Sequence, residues 1–228
     1  SDADIKLADM NGDGLADIVR VRKGDVKYWP GRGNGQWGTG GDCPANMFGV
    51  DRSLAMGSPP NTQIIIGDTL RLDDVNGDGL DDLLQFTTNN VHIWLNVDGA
   101  SFTNEHVINN APNSPGYADI VRLTDINGSG TRDVLYGQGL KYQYMDLAGG
   151  VQPWTLVHVD NGLGKTTDLD YTPSTTLMLA AEKAGNPWTS KAPMVMHVVT
   201  RSVEHDNLAA IGRPEGDYTT FYEYQDPY

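Results

Sequence analysis

The string "DMNGDGLADIVRV" (9–21) is written again as "DVNGDGLDDLLQF" (74–86) and once more, worn, as "DINGSGTRDVLYG" (125–137). This recurrence constrains the fold more than any other feature of the chain, because self-similarity is the mark of a repeat architecture. The likeness runs past the motif. Each copy is preceded by an alternating apolar run, "IKLAD", "LRLDD" and "VRLTD", and continues into a β-type run, "DIVRV", "DLLQF" and "DVLYG". A turn follows, then a second strand candidate, "VKYWP", "VHIWLN" and "LKYQYM". Trp37, Phe102 and Trp154 stand 28, 28 and 29 residues after Asp9, Asp74 and Asp125, and Trp29 and Trp94 share a register 20 residues after theirs. Such large aromatics are expected in the core.

Each unit therefore reads as three or four antiparallel strands with alternating faces. A small sheet repeated radially is a propeller blade, and closure of a ring takes about four to eight blades. The expectation is an all-β chain: a partial β-propeller of about three repeats over 1–158, then a degenerate blade or β-rich extension over 159–228. That last third opens with "DNGLGKTTDLDY", where Asp160 and Asp168 keep the eight-residue spacing of Asp9 and Asp17. It also holds one short helix candidate near 174–184, with Gly185 as its stop and Pro187 beyond. "PMVMHVVTRSVEHD" and "GDYTTFYEYQDPY" read as two long strands.

The repeated sentence has the form D-x-N-x-D-G-x-x-D, with side-chain oxygens at positions 1, 3, 5 and 9 and a backbone carbonyl available at 7. Several hard oxygen donors on a flexible loop suit Ca²⁺, whereas Mg²⁺ demands stricter octahedral geometry. The predicted ligands are Asp9, Asn11, Asp13, the carbonyl of Leu15 and Asp17 in the first loop. In the second they are Asp74, Asn76, Asp78, the carbonyl of Leu80 and Asp82. The third, Asp125, Asn127, Ser129 and Asp133, has exchanged one carboxylate for a hydroxyl and is expected to bind weakly or not at all. An EF-hand is excluded: its twelfth position is a bidentate Glu, and here that position is Arg20 or Gln85. Asp and Asn also close turns by accepting backbone N–H bonds without any metal, so both readings stand at this point. A bound cation is expected to tie the loop, not to do chemistry.

Charge points the same way. Thirty acidic residues against 16 basic give a net charge of −14, which disfavours nucleic acid and anionic membrane surfaces. No apolar run approaches the roughly 18 residues of a membrane span. The start has neither an initiator Met nor a signal-peptide shape and reads as an internal stretch of something longer. Cys43 is the single cysteine, so no internal disulfide forms. "GLGKTT" (162–167) lacks the first Gly of a phosphate-binding loop and is followed by Tyr171-Thr172-Pro173 instead of a helix. His92, His106, His158, His197 and His205 show no paired ligand spacing. No acid/base pair stands apart from the loops, so no catalytic residue is predicted and the chain is expected not to be an enzyme.

The loops between strands resemble the calcium-loop repeats of integrin-type (FG-GAP or VCBS) propellers, over residues 1 to about 158. The order "LADMNGDGLADIVRV…VKYWPGRGNGQWG", "LRLDDVNGDGLDDLLQF", then "GLGKTTDLDYTPSTT…AGNPW…PMVMHVVTRSVEHD…TTFYEYQDPY" resembles the middle region of SpvB/TcB-type proteins across the whole chain. Those are the B components of bacterial Tc insecticidal toxin complexes, related to Rhs/YD-repeat proteins. The resemblance implies a secreted, non-enzymatic scaffold whose propeller docks on the pore-forming A component, with the toxic enzyme elsewhere. Its implied partners are other toxin components or other parts of its own full-length chain. A carbohydrate-binding propeller is the main alternative, with a glycan partner met by Trp29, Trp37 or Trp94.

Overall fold

The computed structural model describes residues 5–33, 35–39, 52–61, 70–87, 89–112, 120–208, 212 and 216–226. Cys43 lies outside them. Among the described residues, seventeen strands and one helix make an all-β fold, as the repeats predict. The described residues fall into two units: one takes in residues up to Thr124 and Arg132–Leu147, the other Asp125–Thr131 and Ala148 onward.

Each copy of the motif joins, along the chain, the first two strands of an antiparallel sheet. β1 (Ile5–Ala8), β2 (Asp17–Arg22), β3 (Asp25–Trp29) and β4 (Leu54–Ala55) form one sheet in that order. β5 (Leu70–Asp73), β6 (Asp82–Phe86) and β7 (Asn90–Trp94) form the next, with β10 (His106–Asn109) beyond β7. The short pair β8 (Asn96–Val97) and β9 (Ser101–Phe102) lies between β7 and β10 in the chain. The third sheet is β11 (Ile120–Thr124), β12 (Asp133–Gln138) and β13 (Lys141–Asp146).

Burial shows how these sheets stack. All five residues of β6 are buried. Leu83, with Leu70 and Trp94, packs in one cluster with Val19, Val21, Val26 and Tyr28 of the first sheet. Leu84 and Phe86, with Val91 and Ile93, pack in another with Val121, Val134 and Tyr136 of the third. Side chains alternate between the faces of a strand, so the middle sheet serves two cores. That is why "DLLQF" is a continuous run and "DIVRV", with a half-exposed alternate face, is not. Phe86 meets Tyr136 edge to face, centroids 6.1 Å apart.

The aromatics in phase with the repeat do not all behave as core. Trp94 and Phe102 are buried, but Trp37 is 43% and Trp154 76% exposed. Trp37 spends its indole N–H on the carbonyl of Ala16 at 3.2 Å and so stays at the surface. Trp154 sits in a turn at φ 58°, where no strand directs its ring inward.

The second unit holds an antiparallel sheet of β14 (His158–Asp160), β15 (Thr166–Pro173), β16 (His197–His205) and β17 (Asp217–Phe221). Its helix α1 (Ser174–Lys183) packs on β15, where predicted. Pro173, in extended conformation, opens it; Gly185 at φ +80° closes it, its N–H on the carbonyl of Glu182. β17 stops at Phe221, short of the long strand expected. The Asp160–Asp168 spacing makes no fourth loop of the repeated kind: Asp17 begins β2, whereas Asp168 lies inside β15.

Candidate metal centre

The first two loops are built alike, bond for bond. Asp9 Oδ1 accepts the N–H groups of Gly12 (2.8 Å) and Asp13 (3.3 Å), and its Oδ2 that of Gly14 (2.7 Å). Asp74 takes Gly77 (2.7 Å), Asp78 (3.2 Å) and Gly79 (2.9 Å) in the same way. Asn11 and Asn76 accept from Asp13 N and Asp78 N; Asp13 and Asp78 accept from Leu15 N and Leu80 N. Gly14 and Gly79, at φ +80° and +88°, make the turn that side-chain-bearing residues adopt only with strain.

The ninth-position carboxylates differ from the others because they are buried. Asp17 accepts from Met10 N (2.9 Å) and Gly31 N (2.6 Å). Asp82 accepts from Val75 N (3.1 Å) and Asn96 N (2.8 Å). Burial pushes both carboxyls up, Asp82 to about 7, despite these hydrogen bonds. The like charges of Asp13 and Asp9, and of Asp78 and Asp74, add to the effect.

The two loops also hold each other. Asp9 N donates to Asp81 Oδ2 (2.6 Å), and Asp81 N donates to the carbonyl of Asp9 (2.8 Å). The buried carboxamide of Asn96 donates to the carbonyls of Met10 (2.9 Å) and Asp81 (3.3 Å). Neither Asp81 nor Asn96 was singled out by the sequence, since Asp81 fills a variable position of the nine-residue pattern and Asn96 lies outside it; "DD" at 81–82, absent from the other copies, is the one signal.

The third loop keeps the backbone pattern and loses one carboxylate. Asp125 accepts from Ser129 N (3.0 Å) and Gly130 N (2.8 Å), and Asn127 accepts from Ser129 N (2.8 Å). The Ser129 hydroxyl pairs with that of Thr131 at 2.7 Å. Within its unit the loop is tied by protein groups: Thr175 donates its hydroxyl to the Gly128 carbonyl, and the His197 ring lies against Gly130. Asp133, the fourth predicted ligand, is buried at the head of β12.

Among the described residues no three His, Cys, Asp or Glu side chains already converge as a metal cluster. The donor chemistry of the first two loops nevertheless fits a hard cation. Each carries three carboxylates and a carboxamide, and a carboxyl raised by burial, and further by its like-charged neighbours, is one that a cation returns to its charged form. Asp9, Asn11, Asp13, Leu15 and Asp17, and Asp74, Asn76, Asp78, Leu80 and Asp82, would hold Ca²⁺, which would supply charge compensation and no reaction step.

The family described as the insecticide toxin TcdB middle/N-terminal region matches residues 96–228, more than half of the chain. The chain belongs to that family. The matched region includes the whole of the C-terminal third, 159–228. Solved structures of the same fold include a Tc holotoxin pore of Photorhabdus luminescens, at TM-score 0.72 and 20% identity over 90% of this chain and 9% of that one. A TcdB2–TccC3 complex gives 0.69 and 21% over 90% and 10%; TcdB2–TccC3–Cdc42 gives 0.69 and 21% over 89% and 9%. This TcdB-family chain thus spans about a tenth of the length of those chains. No curated protein matches it.

Proposed function

We propose that this TcdB-family chain is a non-catalytic, calcium-tied scaffold of a bacterial Tc-type toxin, acting outside the bacterium through contact with the other toxin components. In this reading the three stacked sheets are propeller blades, and the loops at their heads are the ties. The observation that carries it is the matched construction of the Asp9 and Asp74 loops beside buried, charge-stressed Asp17 and Asp82, in a chain of a toxin-component family. The family resemblance and the fold shared with the holotoxin pore support docking on the A component.

Thermal melts of the chain in excess EGTA, then with Ca²⁺ or Mg²⁺ restored, test the metal. Ligand at 100 times its Kd stabilises by about 2.7 kcal/mol per site. A Ca²⁺-selective rise, lost in Asp13→Ala plus Asp78→Ala, is expected; overlapping melts overturn the calcium reading. Binding of the full B component to immobilised A component, with and without this region, tests docking separately. Undiminished binding without the region overturns that role.

A further inference from the structure

The sheet of the second unit gathers histidines and aspartates that are far apart in sequence. Its register aligns His158, Asp168, Val203 and Thr219 in one cross-strand row, and Asp160, Thr166, His205 and Asp217 in the row beside it. Residues directly opposite share a face. On that face His158 Nδ1 meets Asp168 Oδ1 at 2.5 Å, His205 Nε2 meets Asp168 Oδ2 at 3.1 Å, and His205 Nδ1 meets Asp217 Oδ1 at 2.7 Å. The chain of contacts crosses all four strands.

The two histidines differ chemically. His158 touches one carboxylate through one ring nitrogen, and a neutral ring with its proton on Nδ1 satisfies that bond. His205 touches two carboxylates through both nitrogens. An ionised carboxylate only accepts, and a neutral imidazole has one N–H; only the imidazolium donates twice. Nearby, Arg201 is occupied by Asp170 (2.5 Å), Lys165 pairs with Glu204 (2.7 Å), and Asp206 accepts the N–H groups of Leu208 and Gly216. These rows and the neighbouring Asp170–Arg201 pair present four carboxylates, Asp160, Asp168, Asp170 and Asp217, to one guanidinium. The field favours a protonated ring.

We propose that His205 is a proton-operated clasp: as an imidazolium it bridges Asp168 of β15 and Asp217 of β17 and fixes the outer strand β17, and as a neutral ring it releases one of them. His205 and Asp217 are the terminal pair of the β16–β17 ladder, so release of Asp217 frees a strand end. The Asp217 hydrogen bond, with help from Asp168, holds the His205 pKa above the ordinary imidazole value. The His158 and His205 bonds hold the Asp168 carboxyl below the usual range, which keeps the proton on the ring. Stability from a raised imidazole is complete below its unfolded pKa and is lost as pH rises through the folded one. The clasp is therefore closed in mildly acidic solution and opens on the alkaline side.

The test is ring ¹⁵N NMR and amide hydrogen exchange on the 228-residue chain between pH 5 and 8.5, at fixed Ca²⁺. The expected result is a His205 midpoint above that of an ordinary imidazole. The β17 amides should lose protection through the same midpoint, after correction for intrinsic exchange. His205→Gln should abolish that step and Asp217→Asn should lower the midpoint. A His205 midpoint at or below the ordinary value overturns the clasp. So does unchanged β17 protection, or the same step in His205→Gln.

Discussion

Asp82 offers the sharpest test of the electrostatics. Its carboxyl is fully buried at the head of β6, and burial raises its pKa from the ordinary 3.8 to about 7. The perturbation is to strip cations with EGTA and raise the pH from 5 to 8. A carboxyl raised on folding binds its proton more tightly in the native state. Its contribution is greatest at low pH and is lost as pH climbs from the unfolded value to the folded one. A shift of roughly 3 units at 1.36 kcal/mol per unit sets a ceiling of about 4 kcal/mol on that loss. Calcium at 100 times its Kd should return about 2.7 kcal/mol per site at the upper end of the range. Urea unfolding at each pH, in EGTA and in Ca²⁺, reads both effects. Asp82→Asn, which resembles the protonated acid, should flatten the slope in EGTA. A chelated protein that is equally or more stable at pH 8, or a variant that keeps the full slope, would refute the reasoning.

Two core and loop predictions follow from geometry alone. Among the described residues the buried hydroxyl of Tyr136 finds no hydrogen-bond partner, so Tyr136→Phe should raise stability by about 1 kcal/mol in urea melts, and a loss would show a missed partner. Gly79 and Gly130 share a left-handed backbone at φ +88° and +83°, but a Cβ on Gly79 meets nothing within 4 Å while one on Gly130 lies 2.7 Å from the His197 ring. Gly79→Ala should therefore cost about 1–2 kcal/mol for backbone strain. Gly130→Ala should cost about 1–3 kcal/mol more for overpacking. Equal costs for the two would show that the ring yields freely.

Much of the fold was legible because its signals are local. The three loops, the strands on either side of each and the helix at Ser174–Lys183 all follow from periodicity and glycine placement. The Tc-toxin resemblance was legible too, in the order of these pieces. What escaped is what topology assembles. His158 and His205 show no paired spacing, yet strand order brings both to Asp168. Asn96 looks like an ordinary turn residue until β8 carries it under the loops, where it holds Met10 and Asp81. Trp37 and Trp154 kept phase with buried aromatics in sequence, but phase fixes only position along the chain. Whether a ring turns inward depends on neighbours that no repeat encodes.

The doubly buried strand β6 has a consequence for alignment. A strand with one wet face is kept in place by its hydrophobic pattern, since a one-residue slip would turn that pattern inside out. "DLLQF" has apolar side chains on both faces, so the pattern alone penalises a slip weakly. The tooth that stops it is Asp82, whose two oxygens are gripped by Val75 N and Asn96 N. Asp17 is held likewise at the head of β2, and Asp133 stands buried at the head of β12 even though its loop has given up a carboxylate. The ninth-position aspartate is thus a ruler mark for each sheet, a reason to retain it that outlasts any ion.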